Sequence, residues 1–195
     1  AAVRNLVVEA NHVAAGRWTR ITGNEVCGKT LAIVGFGRIG KEVAIRARAF
    51  GMKVRIFARP RHRDWIESEG FEHAATPVQA ASGAHAISVH TGLGPMGPAG
   101  YANAGLIGAE VMAALAPGAV VINYDRGELV DVAALGAALT TGQVGHAEID
   151  ADLFRDAASG ALSGPMVPYL GLLPAHAARL SLLPHAAADT DHPTR

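Results

Sequence analysis

The chain has 195 residues, of which 50% are hydrophobic and 17% charged, a length and balance that exclude a disordered segment and suffice for one domain with a substantial core. A formal net charge of +0 excludes a global attraction for nucleic acid or an anionic membrane, and no apolar run reaches membrane-spanning length. The single cysteine, Cys27, excludes a disulfide framework and a multi-cysteine metal site; with no signal-peptide pattern at its start, the chain is expected in the cytoplasm.

Residues 1 to 15, "AAVRNLVVEANHVAA", place apolar positions at helical spacing, and "GRWTRITGNEVCGK" follows as a polar, glycine-punctuated connector. Residues 1–22 therefore form a linking helix and connector, and 23–195 the domain proper. From there short β-type runs alternate with alanine-rich helices. The order is "LAIVGF", a helix over 38 to 50, "KVRIFA", a helix around 63 to 69, "HAISVH", a helix around 108 to 115, "AVVIN", a helix around 131 to 140, and "GHAEID". Strands without polar alternation, separated by helices, predict an α/β fold with a doubly wound parallel sheet covered on both faces. Two glycine- and proline-rich stretches, 91 to 100 and 159 to 174, are expected as long loops.

The first strand and helix frame "VGFGRIG", in which Gly35, Gly37 and Gly40 fit G-x-G-x-x-G. The first glycine permits the tight turn, the second lets a pyrophosphate approach the backbone, and the third lets helix and strand pack closely. The backbone N–H groups at the helix start, at Arg38, Ile39 and Gly40, then face the phosphates. About twenty residues further on, where an acid commonly grips the ribose of NAD, the chain offers "ARPRHR". A guanidinium at Arg59, joined by Arg61, suits a 2′-phosphate, and Ala58 supplies no carboxylate to repel it. The expected cofactor is NADP in preference to NAD; the alternative is that these arginines, with His62 and Arg63, make a solvated helix start.

The stretch "GRWTRITGNEVCGKTLAIVGFGRIGKEVAIRARAFGMKV" resembles the coenzyme domain of the D-isomer-specific 2-hydroxyacid dehydrogenases. The likeness continues through "HAISVHTGL", "GLIGAEVMAALAPGAVVINYDRGELVDVAALGAALTTGQV" and "LLPHAAADT", over most of residues 15 to 190. It implies a Rossmann-type domain and hydride transfer between a nicotinamide and a 2-hydroxy or 2-oxo acid. Arg126 of "INYDRGELVD" would bind and orient the substrate carboxylate, and His185 of "LLPHAA" would be the proton donor and acceptor. Asp150 of "HAEID" matches an aspartate at the nicotinamide end, and Thr91 and Tyr124 fall on the cofactor side. His90 is structural or cofactor-adjacent, and the remaining histidines show no metal-ligand spacing.

The sequence also departs from the family's pattern. The glutamate that pairs with the family's catalytic histidine falls on Arg155 or Ala157, so a neighbouring acid, Asp156 or Asp152, is the expected substitute. Asp125 stands before Arg126 where a small residue is common, and "AAAD" follows His185 where a glycine pair is common. The chain spans the linking helix to ten residues past His185, so the family's substrate domain is expected to lie outside it. The competing expectation is a non-catalytic nucleotide-binding or dimerisation module. The first helix and the loop at 91 to 106 match dimer contacts of the family, which implies a homodimer.

Overall fold

A computed structural model of the chain describes residues 2–186. Seven strands form a single sheet: β1 (Thr30–Val34), β2 (Lys53–Phe57), β3 (Glu72–Ala74), β4 (Ala86–Val89), β5 (Ala119–Asn123), β6 (Val144–Asp150) and β7 (Leu180–Leu183). Their spatial order is β7-β6-β5-β4-β1-β2-β3, and every neighbouring pair is parallel. The order reverses between β1 and β4, the place where open α/β sheets leave a crevice beyond the carboxyl ends of their strands.

The helices are α1 (Leu6–Ala14), α2 (Arg38–Ala49), α3 (Arg63–Ser68), α4 (Pro77–Ala81), α5 (Ala109–Ala114), α6 (Val132–Thr141), α7 (Val167–Leu170) and α8 (Leu173–His176). Side chains alternate across the sheet, so β1 feeds two cores at once. Leu31 and Ile33 pack with Ala44 and Ala47 of α2 and Ile66 of α3. Ala32 and Val34 point the other way, among Met112 of α5 and Leu135 and Leu139 of α6. The central strands β1, β4 and β5 are buried almost throughout, which is why they lack polar alternation.

The expected α/β doubly wound architecture is therefore observed, with the strands and helices of the alternating pattern in place. Several elements were not anticipated. The edge strands β3 and β7 flank the expected five, and α4 lies between β3 and β4. The glycine- and proline-rich stretches are not plain loops. The first carries a small hairpin (Met96–Gly97 with Gly100–Tyr101), and the second carries strand Leu162–Ser163, paired with Phe154–Arg155, and then α7. Tyr169 of α7 is fully buried, so this segment is part of the core. The "AAAD" difference after His185 lies mostly outside the described residues.

Candidate functional site

The turn after β1 is built by its glycines. Gly35 has φ +102°, and a Cβ there would overlap the His90 carbonyl, 2.5 Å from its carbon. A Cβ on Gly40 would overlap the Gly35 carbonyl oxygen. Gly37 differs: it is the N-cap of α2 in ordinary extended geometry, and an added Cβ would meet no protein atom within 4 Å. Two glycines are thus demanded by the fold and one only by what lies outside it. The N–H groups of Arg38, Ile39 and Gly40 head a twelve-residue helix and have no intrahelical acceptors, so they are free for an anion.

This turn opens on a cavity of about 920 Å³, lined by Gly35 and Gly37, by Arg59, Arg61 and His62 after β2, and by His90 and Thr91 after β4. Arg59 lies two residues beyond β2 and caps a short 3₁₀ turn, Pro60–His62. Arg63 is tied to Glu67 at 2.8 Å, whereas among the described residues no carboxylate forms an ion pair with Arg59 or Arg61. His90 donates its backbone N–H to Val34 and shares a 2.7 Å hydrogen bond with the Ser88 hydroxyl. Burial lowers its imidazole to about 4, so it is a neutral wall of the cavity at neutral pH.

A second cavity of about 530 Å³ adjoins the first and shares Gly92, Leu93 and Gly94 with it. Arg126 and His185 both line it, together with Asp125, Glu128 and Asp152. Arg126 sits on a corner after β5 that is gripped from two sides. The fully buried Asn123 donates from Nδ2 to the Arg126 carbonyl (2.8 Å) and accepts the Asp125 N–H (3.2 Å). The Tyr169 hydroxyl donates to the Gly127 carbonyl at 2.6 Å, and its surroundings push its pKa well up, burial first and then Glu128 and Asp131. The Arg126 guanidinium reaches towards Asp152, Nη1 to Oδ2 3.9 Å.

His185 follows β7 with φ +55°, the left-handed region that a non-glycine residue seldom occupies. The buried Asp150, at the end of the intervening β6, accepts the Ala186 N–H at 2.9 Å and so anchors the chain just past His185. Burial pushes the Asp125 carboxyl up, while Arg126 and His185 pull it back down. Tyr124 is partly exposed beside Glu148 and Asp150; burial, then those two carboxylates, push its hydroxyl up.

Thr91, the glycine turn and the arginines thus share one cavity, and Arg126 and His185 share the next. Asp156 is not brought to either. It is exposed in the hairpin turn after Phe154–Arg155, where Oδ1 accepts from Ala158 N, Ser159 N (2.7 Å) and Ser159 Oγ (2.7 Å). Those bonds, the Ser159 N–H first, hold its carboxyl below the usual range. Of the acids near the expected position, Asp152 lines the cavity; Asp125, from the corner after β5, lines it too, and His185 Nδ1 is buried there with no hydrogen-bond partner among the described residues. Asn123 and Tyr169 were missed by sequence reasoning. An asparagine closing an otherwise apolar strand was the available signal for the first; the second sat in a stretch taken for loop.

The family model described as "D-isomer specific 2-hydroxyacid dehydrogenase, NAD binding domain" matches residues 1–186. This chain belongs to that family. The D-3-phosphoglycerate dehydrogenase of Bacillus subtilis is 39% identical over 140 residues, 71% of this chain and 25% of the relative. A glyoxylate reductase of Thermococcus litoralis is 35% identical over 159 residues, 76% of this chain and 46% of the relative. A solved glyoxylate reductase from Paecilomyes thermophila superposes with a TM-score of 0.71 at 28% identity, over 97% of this chain and 52% of that one. The chain thus spans between a quarter and about half of these 2-hydroxyacid dehydrogenase relatives. The family's nicotinamide dinucleotide fits the residues present: a turn with an open position at Gly37, free N–H groups beyond it, and a cleft running on to Arg126 and His185. Among the described residues no helix is long and apolar enough to cross a membrane, and no three His, Cys, Asp or Glu side chains are grouped to hold a metal.

Proposed function

We propose that this chain is the coenzyme-binding part of an NADP(H)-preferring 2-hydroxyacid dehydrogenase that works mainly as a 2-oxo acid reductase. The observation that carries the reading is the single cleft with two chemically distinct ends. One end presents Arg59 and Arg61 without carboxylate partners; the other presents Arg126 and His185 together. A nicotinamide bound between them supplies the hydride. Arg126 holds the substrate carboxylate with its fork and draws charge from the carbonyl. His185 gives a proton to the carbonyl oxygen in reduction and takes it back in oxidation.

Asp125, which lines the same cavity as His185, replaces Asp156 as the acid acting on the imidazole, through its charge and not through a hydrogen bond: His185 Nδ1 has no hydrogen-bond partner among the described residues. Asp150 supports the same loop through Ala186 and stands at the nicotinamide end, with Tyr124 beside it. The linking segment 1–22 and the domain 23–195 belong to a homodimer, for which the exposed Leu6, Val7 and Val13 of α1 offer an apolar face. The free thiol of Cys27 is in keeping with a reducing cytoplasm.

The test is a titration of the purified chain with NADPH and NADH, repeated on Arg59→Ala. Tighter NADPH binding that is lost in the variant supports the reading, and equal or tighter NADH binding overturns the NADP(H) preference. A second reading, a nucleotide-binding module without catalysis, is favoured by the diversion of Asp156 into its own turn. Arg126→Ala in the complete protein separates the two. Reductase activity collapses if the chain is catalytic, and nothing measurable changes if it is not.

A further inference from the structure

His62 lines the larger cavity beside Arg59 and Arg61. Its ring stands edge-on to the buried Phe36 ring, with centroids 6.0 Å apart, so the floor of the phosphate turn props it in place. Arg61 Nε–H donates to His62 Nε2 at 3.3 Å, and Arg61 and Arg59 bracket the ring on its own turn. From α2 the ammonium of Lys41 faces it, held over the rings of Phe36 and Trp65 at 5.5 and 4.7 Å.

Asp64, two residues on in α3, is not among the groups that shift the ring, and further charged or titratable neighbours are engaged elsewhere. Arg63 at the start of α3 is paired with Glu67, and Glu42 on α2 with Arg46. The β3 imidazole of His73, on the same cavity, is bonded through Nε2 to the Ala58 carbonyl at 3.1 Å. Three cations therefore surround one titratable ring, and none of the acids named here faces it. In keeping with this, the free imidazole is held below its ordinary value by burial and then by Arg61, Arg59 and Lys41. The unliganded ring is thereby biased towards its neutral form.

We propose that His62 is a proton-gated contact to the 2′-phosphate, so that the chain takes up a proton when it binds NADPH and none when it binds NADH. The inference rests on the NADP(H) reading above. A phosphate dianion placed among Arg59, Arg61 and His62 offsets most of the positive field at the ring and accepts a charge-assisted hydrogen bond from it, so the imidazolium becomes the favoured form. The proton comes from solvent and remains on the ring while the cofactor is bound. Hydride transfer is not involved. The consequence is a discrimination between the two cofactors that sharpens as pH falls towards neutrality. The ligand alone gives the opposite sign: a phosphate whose second ionisation lies near 6 loses its residual proton when cations surround it.

Calorimetric titration of the purified chain with NADPH and with NADH at pH 7, in two buffers of different ionisation enthalpy, counts the protons exchanged. The expected result is uptake of roughly half a proton with NADPH and about none with NADH, and an NADPH Kd that tightens about threefold between pH 8 and pH 6.5. In His62→Gln, which keeps a polar group without a titratable one, uptake gives way to a small release from the phosphate, and the Kd no longer tightens as pH falls. NADPH remains preferred in that variant, because Arg59 is untouched. NADPH preference with no proton uptake, or with the same uptake in His62→Gln, overturns the role of His62 alone. Equal affinities for the two cofactors at every pH overturn the NADP(H) reading, and this inference with it.

Discussion

Gly35 and Gly37 stand two residues apart in one turn, yet replacing each with alanine should break different things. Gly37 has φ −81° and ψ −164°, which alanine adopts without strain, and its added methyl meets no protein atom within 4 Å. The stability loss is that of exchanging glycine for alanine at an N-cap, about 0.5 kcal/mol, or roughly 1 to 2 °C in Tm for a chain of this size. The methyl would occupy the space through which a pyrophosphate meets the α2 N–H groups, so both NADPH and NADH should bind at least about tenfold more weakly. At Gly35 the methyl would be forced into φ +102° and into the His90 carbonyl. Left-handed strain and backbone overlap together cost about 3 kcal/mol or more, a Tm loss near 10 °C or a failure to accumulate as folded protein. Thermal unfolding and titration by nucleotide fluorescence measure the two effects side by side. Wild-type cofactor affinity in Gly37→Ala would refute the placement of the dinucleotide at this turn. Equal destabilisation by the two substitutions would refute the claim that only Gly35 is demanded by the fold.

Tyr169→Phe removes a buried donor from the Gly127 carbonyl and should cost about 1 to 2 kcal/mol, a Tm decrease of roughly 3 to 6 °C. In the complete protein it should lower kcat/KM more than cofactor affinity, because the loosened corner carries Arg126. Asp125→Asn removes the carboxylate that competes for Arg126, so the KM for a 2-oxo acid should fall about threefold, while kcat falls if Asp125 also holds His185. Unchanged KM and kcat together would leave Asp125 without either role. His90 is neutral in the fold, at about 4 against an ordinary 6.5. Only the unfolded chain binds its proton between those values, so stability should fall as pH drops from 6.5 to 4 and level off below. The loss attributable to His90 is about 2 to 3 kcal/mol. Denaturant unfolding of His90→Gln should show a shallower decline over that window than wild type; parallel declines would contradict it.

What the sequence displayed clearly was set by local pattern. The runs in β1, β4 and β5 are apolar without alternation because both faces of the sheet are covered, and the glycine turn declares itself through spacing alone. What it concealed is held by tertiary contact. Strand β3 spans only Glu72–Ala74 and owes its place partly to Arg55, which bonds Glu72 at 2.8 Å and the Ser82 carbonyl at 2.7 Å. Helices α7 and α8 have four residues each, too short to form by propensity, and are fixed by the burial of Tyr169 and His176. A composition rich in glycine and proline looks the same whether or not such a segment enters a core.

The site divides along the same line. Arg59, Arg61 and Thr91 follow strands that pair directly with β1, so their arrival at the glycine turn follows from the strand order. Arg126 and His185 leave β5 and β7, which are separated by β6, and their meeting depends on how the connecting corners are tied. Those ties are Asn123, Tyr169 and the Asp150 carboxylate on Ala186 N, none of which has a spacing signature. The acid facing His185 shows the same limit. Sequence alignment places candidates along the chain after β6, at Asp152 and Asp156, whereas Asp125 approaches from the corner after β5. A partner contributed across strands can be identified only once the sheet order is known. It also places one short carboxylate on the cavity that Arg126 and His185 share.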